Sequence, residues 1–228
     1  IKGGFGHAFK APTLKQISPN YVGAEGPHTF LGNADIRPET SNSFEIGADW
    51  QPDPAWTLRA TAFHTDVKQL ITYRLIQQVG PRRTYQYDNV DAARIQGLEA
   101  GVVWAATSTL RWTLNATFLH TRDKATDRPL SDRPNLSLAS RLVWRVAGWD
   151  AQLGADRIGR QTSSGERLPA YTLWNASVGT SWAVGSQQRL NVRVGLENLG
   201  NLRLAEKSPA FGYAEQGRRA FVTARLDF

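Results

Sequence analysis

The stretch LRWTLNATFLHT, residues 110–121, decides the fold class of this chain. Apolar side chains occupy every second position, and polar side chains fill most positions between them. Side chains of a β-strand point alternately to opposite faces, so the stretch predicts a strand with one apolar and one polar face. No window of comparable quality has helical spacing. The apolar positions are Leu110, Trp112, Leu114, Ala116 and Phe118, and the polar positions are Arg111, Thr113, Asn115 and Thr117.

The same alternation recurs along the chain and predicts about ten strands. Short connections alternate with longer ones, which is typical of an up-and-down antiparallel meander whose two ends differ. The predicted strands are 2–10, 41–51, 55–75, 84–104, 110–121, 135–145, 149–159, 171–182, 190–198 and 218–228.

Two all-β architectures fit this alternation: a soluble sandwich and a transmembrane barrel. Strands of roughly ten residues are long enough to cross a bilayer at a tilt. Tryptophan and tyrosine recur near strand ends, as in interfacial girdles: Trp50, Trp56, Trp104, Trp144, Trp149, Tyr171 and Trp182. Charged residues fall mid-strand on the polar face, as in a wet barrel interior: Glu45, Arg59, Glu99, Arg111, Arg141, Arg193 and Arg225. These features favour the barrel.

Composition narrows the function classes. The 228 residues include no Cys, which excludes disulfides, thiolate metal sites and a Cys nucleophile. They include no Met, so we expect the chain to be a fragment or a processed product. The net charge of +7 is spread singly and in pairs, without a basic run, so nucleic acid is not an expected partner.

Several motifs carry a resemblance to a known family. FKAPTLKQISPNY at 9–21 and GNADIRPETSNSFEIGADW at 32–50 resemble the motifs that flank a long external loop in TonB-dependent outer-membrane receptors. YDNVDAARIQGLEAGV at 87–102 resembles the next signature of that family. GLENLGNLR at 195–203 and RRAFVTARLDF at 218–228 resemble its closing two strands. The resemblance covers almost the whole chain in order.

This resemblance implies an all-β transmembrane barrel of about 22 strands closed by a plug. Residues 1–228 would be the C-terminal portion, with about the last ten strands. The plug and the segment that binds the TonB-type energy-coupling protein would precede Ile1. The implied location is the outer membrane of a Gram-negative bacterium. Implied partners also include outer-membrane lipid and the barrel-assembly machinery, with no catalytic role, no cofactor and no directly bound metal.

Within the family, FKAPTLKQISPNY most resembles receptors for ferric catecholate siderophores of the enterobactin type. Haem receptors of the same family are the alternative, because they carry a loop histidine between two such motifs. Here His28 lies between Phe9–Pro12 and Asn33–Ile36, although the second motif departs from the haem-receptor form. The expected cargo is therefore a ferric siderophore, with haem second.

The long connections supply the candidate ligand contacts. Cations there could attract an anionic ferric complex, and aromatic rings could stack on catechols or make cation–π contacts. PRRTYQYDN at 81–89 combines both residue types and is the strongest local candidate. The candidates are Tyr21, His28, Arg82, Arg83, Tyr85, Tyr87, Arg160 and Tyr213.

The terminal strand suggests a different role. Its alternating apolar positions and terminal aromatic residue resemble the C-terminal signal of outer-membrane barrels. Phe228, Leu226, Ala224 and Val222 are thus the candidate assembly signal.

An outer-membrane enzyme is the remaining alternative. Such an enzyme needs a nucleophile and a base close together near one rim of the barrel. His120 with Ser137 is the candidate pair for that chemistry.

Overall fold

The computed structural model describes residues 1–163, 165–185, 187–211 and 217–228, without the side chain of Asp91. Fourteen strands and two short helices form in these ranges. In chain order they are β1 (Lys2–Lys10), α1 (Leu14–Ile17), β2 (Val22–Glu25), β3 (His28–Leu31), β4 (Glu39–Trp50), β5 (Trp56–Val79), β6 (Arg82–Ala105), β7 (Leu110–Asp123), β8 (Leu136–Val146), β9 (Trp149–Ile158), β10 (Gln161–Ser163), β11 (Glu166–Leu168), β12 (Tyr171–Ala183), β13 (Arg189–Glu197), α2 (Leu204–Lys207) and β14 (Arg219–Asp227).

The ten predicted strands are confirmed as the path of one sheet, ordered β1-β4-β5-β6-β7-β8-β9-β12-β13-β14. Neighbours on this path are antiparallel, as a meander requires. Two differences concern the connections. The loop after β1 folds into α1 and the β2–β3 hairpin, and β3 pairs with β6 in parallel. The loop after β9 forms the small hairpin β10–β11.

The register separates an apolar face from a polar face over the whole sheet. One row of cross-strand partners runs Trp56–Trp104–Trp112–Leu142, and the rings of Trp56 and Trp104 stack with centroids 5.1 Å apart. By the same register, all eight tryptophans lie on the apolar face. Tyr171 is an exception to the predicted girdle, because it lies on the polar face and packs edge-on against Phe211 at 5.8 Å.

The polar face carries the predicted mid-strand charges, and several of them are paired. Asp150 accepts hydrogen bonds from Arg193 and from Gln152, and Arg145 lies 3.4 Å from its second oxygen. Arg59 lies 3.3 Å from Asp49. These ion pairs offset part of the charge that the polar face carries.

The two ends of the sheet differ, as the loop lengths predict. At the short-turn end, β8 and β9 are joined by Ala147 and Gly148, with φ of 50° and 80°. Two positive φ angles match the twist of the flanking strands in a two-residue hairpin. At the long-loop end, the connections pack on the sheet through small apolar clusters. One cluster joins Val67, Ala93 and Leu130, and another joins Leu168, Leu204 and Phe211.

The sheet is open in this chain. Along the path, β1 pairs with β4 and β14 pairs with β13, so each has one free edge. Closure into a barrel of about 22 strands stays a prediction.

Neither helix found in the described residues has the length and apolar character needed to cross a membrane.

Candidate functional site

An aromatic cluster forms where β5 and β6 extend beyond the sheet's pairing with β4. The pairing of β4 with β5 ends at Lys68, and β5 and β6 stay paired with each other beyond that point. The ring of Phe30 stacks on Tyr85 at 5.2 Å and meets Tyr73 edge-on at 5.3 Å. Tyr87 lies 6.3 Å from Phe30, and His28 stands edge-on to Tyr85 at 5.8 Å. The parallel pairing of β3 with β6 places these rings together. We call these five residues the aromatic cluster.

Tyr73 connects the aromatic cluster to the loop between β7 and β8. Its hydroxyl donates a hydrogen bond to Asp132 Oδ2 over 3.0 Å. Burial, together with the negative charge of Asp132, raises the pKa of Tyr73 to about 12. The hydroxyl therefore keeps its proton, and remains a donor, throughout the physiological range.

Two of the predicted arginines lie on β6 close to the aromatic cluster. The guanidinium of Arg83 is 3.3 Å from Glu166 of the β10–β11 hairpin, and only 21% of its side chain is exposed. Arg82 is exposed at the tip of the hairpin that β5 and β6 form. Arg83 thus connects two connections at the long-loop end of the sheet, whereas Arg82 offers its charge to solvent.

The motif residues that carry the family resemblance contact one another here. Asn33 Nδ2 donates to the carbonyl of Tyr87 over 3.0 Å. The Asn89 side chain accepts from the amide of Arg37 over 2.8 Å and donates to the carbonyl of Gln69 over 2.7 Å. The bonds of Asn33 and Arg37 fasten the loop after β1 to β6 and so hold β3 against it.

Tyr21 and His28, two other predicted contacts, are more buried than side chains of a solvated loop would be. Tyr21 is half-buried, and its backbone carbonyl accepts from the amide of Gly32 over 3.1 Å. Its hydroxyl occupies the space beside Gly23, where an added Cβ would lie 2.3 Å away. His28 is half-buried, and its Nδ1 is buried without a hydrogen-bond partner among the described residues.

Arg160 lies apart from the aromatic cluster, in a cleft between the β7–β8 loop and the β9–β12 loop. It is exposed there, and it shares the lining of the cleft with Arg133 and Arg167. Tyr213, the last predicted contact, lies outside the described residues. The structure therefore brings His28, Tyr85 and Tyr87 together, with Arg82 and Arg83 on the same strand, and separates Arg160 from them.

The candidate contacts predicted from the sequence do not include Phe30, Tyr73 or Arg133. The alternation of β5 continues past Lys68, but nothing in it shows that Tyr73 meets Phe30 across the strands. Arg133, in the β7–β8 loop, stands in a polar stretch without a motif. Only the folding of the loops brings these residues into contact.

The residues of the enzyme alternative do not meet. His120 lies on the apolar face of β7, because it is two positions after Phe118, which pairs with Leu136 on that face. Ser137 pairs with Thr117 on the polar face. The sheet separates the two side chains, so they cannot act as a nucleophile–base pair. No group of three potential metal ligands was found among the described residues.

The candidate assembly residues lie on the last strand. Val222, Ala224 and Leu226 pair with Val194, Val192 and Leu190 on the apolar face. Phe228 follows the end of β14 and is 87% exposed. Their role in assembly stays a prediction.

The chain belongs to the TonB dependent receptor-like, beta-barrel family, whose model matches residues 1–199. It is 30% identical over 261 aligned positions to the ferric enterobactin receptor PirA of Pseudomonas aeruginosa, covering all of this chain and 34% of that protein. It is 33% identical over 159 positions to the ferrienterobactin receptor of Escherichia coli, covering 64% of this chain and 21% of that protein. The chain thus spans about a third or less of these relatives.

Solved structures agree on the fold. The siderophore receptor PirA from Pseudomonas aeruginosa superimposes with a TM-score of 0.69 at 26% identity, covering 98% of this chain and 38% of that chain. The copper transporter OprC superimposes with a TM-score of 0.77 at 21% identity, covering 99% of this chain and 36% of that chain. That second likeness shows the fold alone. One fold serves different cargoes, so the ligand must be argued from the site.

Proposed function

We propose that the chain is the C-terminal barrel portion of an outer-membrane receptor that takes up a ferric catecholate siderophore with energy from a TonB-type complex. Three members of the aromatic cluster, Tyr73, Tyr85 and Tyr87, lie on the same hairpin as Arg82 and Arg83, and this arrangement carries the proposal. Catechol rings can stack on aromatic side chains, and six catecholate oxygens around a ferric ion leave a net negative charge that arginines attract. The names of the relatives support this choice of cargo.

The rest of the proposal follows from the family. The apolar face would contact outer-membrane lipid, with its tryptophans near the bilayer surfaces. The free edges of β1 and β14 would pair with strands outside this chain to close the barrel. The plug and the segment contacting the TonB-type protein would lie outside it too. Insertion by the barrel-assembly machinery would depend on the terminal strand.

Haem is less well supported than a siderophore by the geometry around His28. A haem-binding histidine presents a ring nitrogen to the iron. In this chain Nδ1 of His28 is buried, and the ring edge packs against Tyr85. In this arrangement Nδ1 of His28 is not presented to a haem iron.

The test is a binding panel on the full-length receptor in detergent, with ferric enterobactin, a ferric hydroxamate and haem as probes. We expect ferric enterobactin to bind most tightly. Uptake of radioactive iron by cells should stop when an uncoupler removes the inner-membrane proton gradient. Tight haem binding lost in His28→Ala, with no siderophore binding, would contradict the proposal.

The charge of the hairpin gives a sharper prediction. Replacing Arg82 and Arg83 together by Ala should slow association with ferric enterobactin by about tenfold and flatten its dependence on salt. The matched control is Arg203→Ala, which removes an exposed arginine from another long loop. Equal association rates at low salt in the double variant and the wild type would remove these arginines from the site.

A further inference from the structure

We propose that the apolar face of β5, β6 and β7 carries, at its long-loop end, a binding site for the phosphate head group of one membrane lipid, whose acyl chains lie on the adjoining apolar side chains. The proposal rests on the placement of this face in a bilayer under the proposed function, and it is independent of the cargo. Its basis is the position of the charges on this face, their arrangement around Asp66 and a groove beside them.

The charged side chains of the apolar face lie at one end of the sheet. Apart from the β5–β6 extension beyond Lys68, the register places five charged side chains of the described path strands on this face. All five lie toward the long-loop end, whereas all tryptophans except Trp174 lie toward the short-turn end. The five are Asp66, Lys68, Arg94, Arg122 and Arg157. Four of them are cations, so this border of the apolar face has a positive charge.

Asp66 holds two cations side by side. Its Oδ1 accepts a hydrogen bond from Arg94 Nε over 3.1 Å and lies 2.6 Å from Lys124 Nζ. Its Oδ2 lies 3.3 Å from His64 Nε2. Lys124 follows β7, and its amide donates to the carbonyl of Ala92 over 2.9 Å, which continues the pairing of β7 with β6. One carboxylate therefore brings two positive charges together and leaves the group with a net positive charge.

The cations of this group are open to a further partner. The side chains of Arg94, Arg122 and Lys124 are 41%, 52% and 36% exposed. Arg122 forms an ion pair with Asp127 in the loop after β7. Ion pairs between exposed groups contribute little free energy, so they do not prevent these cations from binding a stronger anion.

A groove joins these cations to the apolar band. Its volume is about 590 Å³, and five of its lining residues lie on the apolar face by register. His64, Gln96 and His120 form one cross-strand row, and Leu98 pairs with Phe118 in the next row. Leu98 and Phe118 are both exposed. A polar row beside an exposed apolar row fits a molecule with a polar head and apolar chains.

A phosphate monoester is the head group that best matches these donors. Guanidinium and ammonium groups form charge-assisted hydrogen bonds to phosphate oxygens. Cations that lie just beyond the hydrocarbon region attract anionic lipids, and this attraction falls off within a Debye length. The tryptophan-rich end of the same face carries no charge among the described strand residues, so it offers no such preference. The occupant is therefore an anionic lipid on the long-loop side of the bilayer.

The first test measures lipid retention by the full-length receptor in detergent, using native mass spectrometry. The probes are phosphatidic acid and phosphatidylcholine with identical acyl chains. We expect the wild type to retain one phosphatidic acid in preference to phosphatidylcholine. Replacing Arg122 and Lys124 together by Gln should weaken this retention by at least about tenfold, since each cation near a membrane surface adds to the attraction.

The matched control replaces Arg111 and Arg141 together by Gln. These two arginines lie on the polar face of β7 and β8, so their loss removes the same charge without touching the site. Retention of phosphatidic acid should be unchanged in this control. Equal retention by the Arg122 and Lys124 variant and the wild type would overturn the proposal.

A gain of affinity provides a second test that does not depend on the fold of the double variant. Gln96→Arg adds a cation between His64 and His120, in the lining of the groove. Phosphatidic acid should then be retained several-fold more strongly, and phosphatidylcholine as before. Unchanged or weaker retention of phosphatidic acid would contradict the site.

A soluble competitor separates a lipid site from a site for phosphate alone. Glycerol 3-phosphate has the same phosphate monoester without acyl chains, so it should not displace phosphatidic acid at an equal concentration. Displacement would overturn a lipid as the occupant, because the apolar row would then contribute nothing.

Ferric enterobactin binding to the same samples distinguishes this site from the proposed function. The Arg122 and Lys124 variant should bind ferric enterobactin as the wild type does. A wild type that prefers phosphatidic acid but does not bind ferric enterobactin would contradict the cargo and support the lipid site. A wild type that binds ferric enterobactin without preferring phosphatidic acid would overturn the lipid site and leave the proposed function standing.

Discussion

The sheet wall and the long-loop end of this molecule are built by different rules. The wall repeats one pattern, with apolar side chains on one face and polar ones on the other over ten strands. The long-loop end has no repeating pattern. Its order comes from individual contacts such as Phe30 on Tyr85, Tyr73 with Asp132 and Arg83 with Glu166. The wall should therefore be sensitive to packing, and the loops to charge and hydrogen bonding.

The largest effect is expected from Gly195→Ala in the wall. An added Cβ would lie 2.5 Å from the ring of Phe221 and 2.8 Å from Ser177 Cβ, so the strands or the ring must shift. We expect the free energy of unfolding of the full-length receptor to fall by about 1–3 kcal/mol. Denaturant titration of the receptor in detergent measures it.

The control for that substitution is Gly154→Ala on the same polar face. Its added Cβ would meet atoms no closer than 3.8 Å, which is ordinary contact. A loss of stability as large as that of Gly195→Ala would show that overcrowding is not the cause.

Deleting Phe228 tests the end of the wall. The residue is 87% exposed and lies beyond β14, so its removal breaks little packing within this chain. We expect far less receptor in the outer membrane of cells but normal ferric enterobactin affinity in the molecules that assemble. Quantifying folded receptor in membrane fractions measures this. Normal amounts would contradict the assembly role of Phe228.

At the long-loop end, Tyr73 should show in a pH titration. Its pKa is raised to about 12, above the ordinary value of 10.0, so the folded state favours the protonated form. The resulting stabilisation is complete below pH 10 and is lost as the pH rises through the folded pKa. Phenolate absorbance of the wild type minus that of Tyr73→Phe should rise near pH 12 rather than pH 10. A difference curve centred at pH 10 would contradict the Asp132 contact.

The smallest effect is expected on the apolar face at Ser140. Trp112 Nε1 donates to its hydroxyl over 2.9 Å, which gives the indole a partner there. Ser140→Ala should lower the free energy of unfolding by about 1 kcal/mol, the usual net contribution of one hydrogen bond. Ser137→Ala on the polar face is the matched control. A larger loss at Ser137 would reverse the expected order of the two faces.

Much of the wall could be predicted from alternation alone, because a period of two is a local property of the chain. The ten strands and the faces of Glu45 and Arg193 followed from it. Tyr171 was misplaced because a girdle was inferred from closeness to a strand end rather than from parity. The parallel pairing of β3 with β6 was missed because a loop of Gly, Pro and short apolar stretches gives no signal for its partner.

The candidate site was predictable only in part. PRRTYQYDN marked Arg83, Tyr85 and Tyr87, because two arginines and two tyrosines stand within one short stretch. Tyr73 was not marked, since its partners Phe30 and Asp132 are distant from it in the chain. Arg133 was not marked, since Arg160, which lines the same cleft, is also distant in the chain. Proximity of that kind depends on how loops fold over the sheet.

By itself the sequence determined the all-β class, the strand order along the chain and the two faces of the wall, since each depends on neighbouring residues. It also carried the family, because the motifs span several strands in order. The tertiary structure alone decided which rings stack on Phe30, which arginine pairs with Glu166, and that His120 and Ser137 lie on opposite faces. These outcomes depend on register and loop folding, which join residues far apart in the chain.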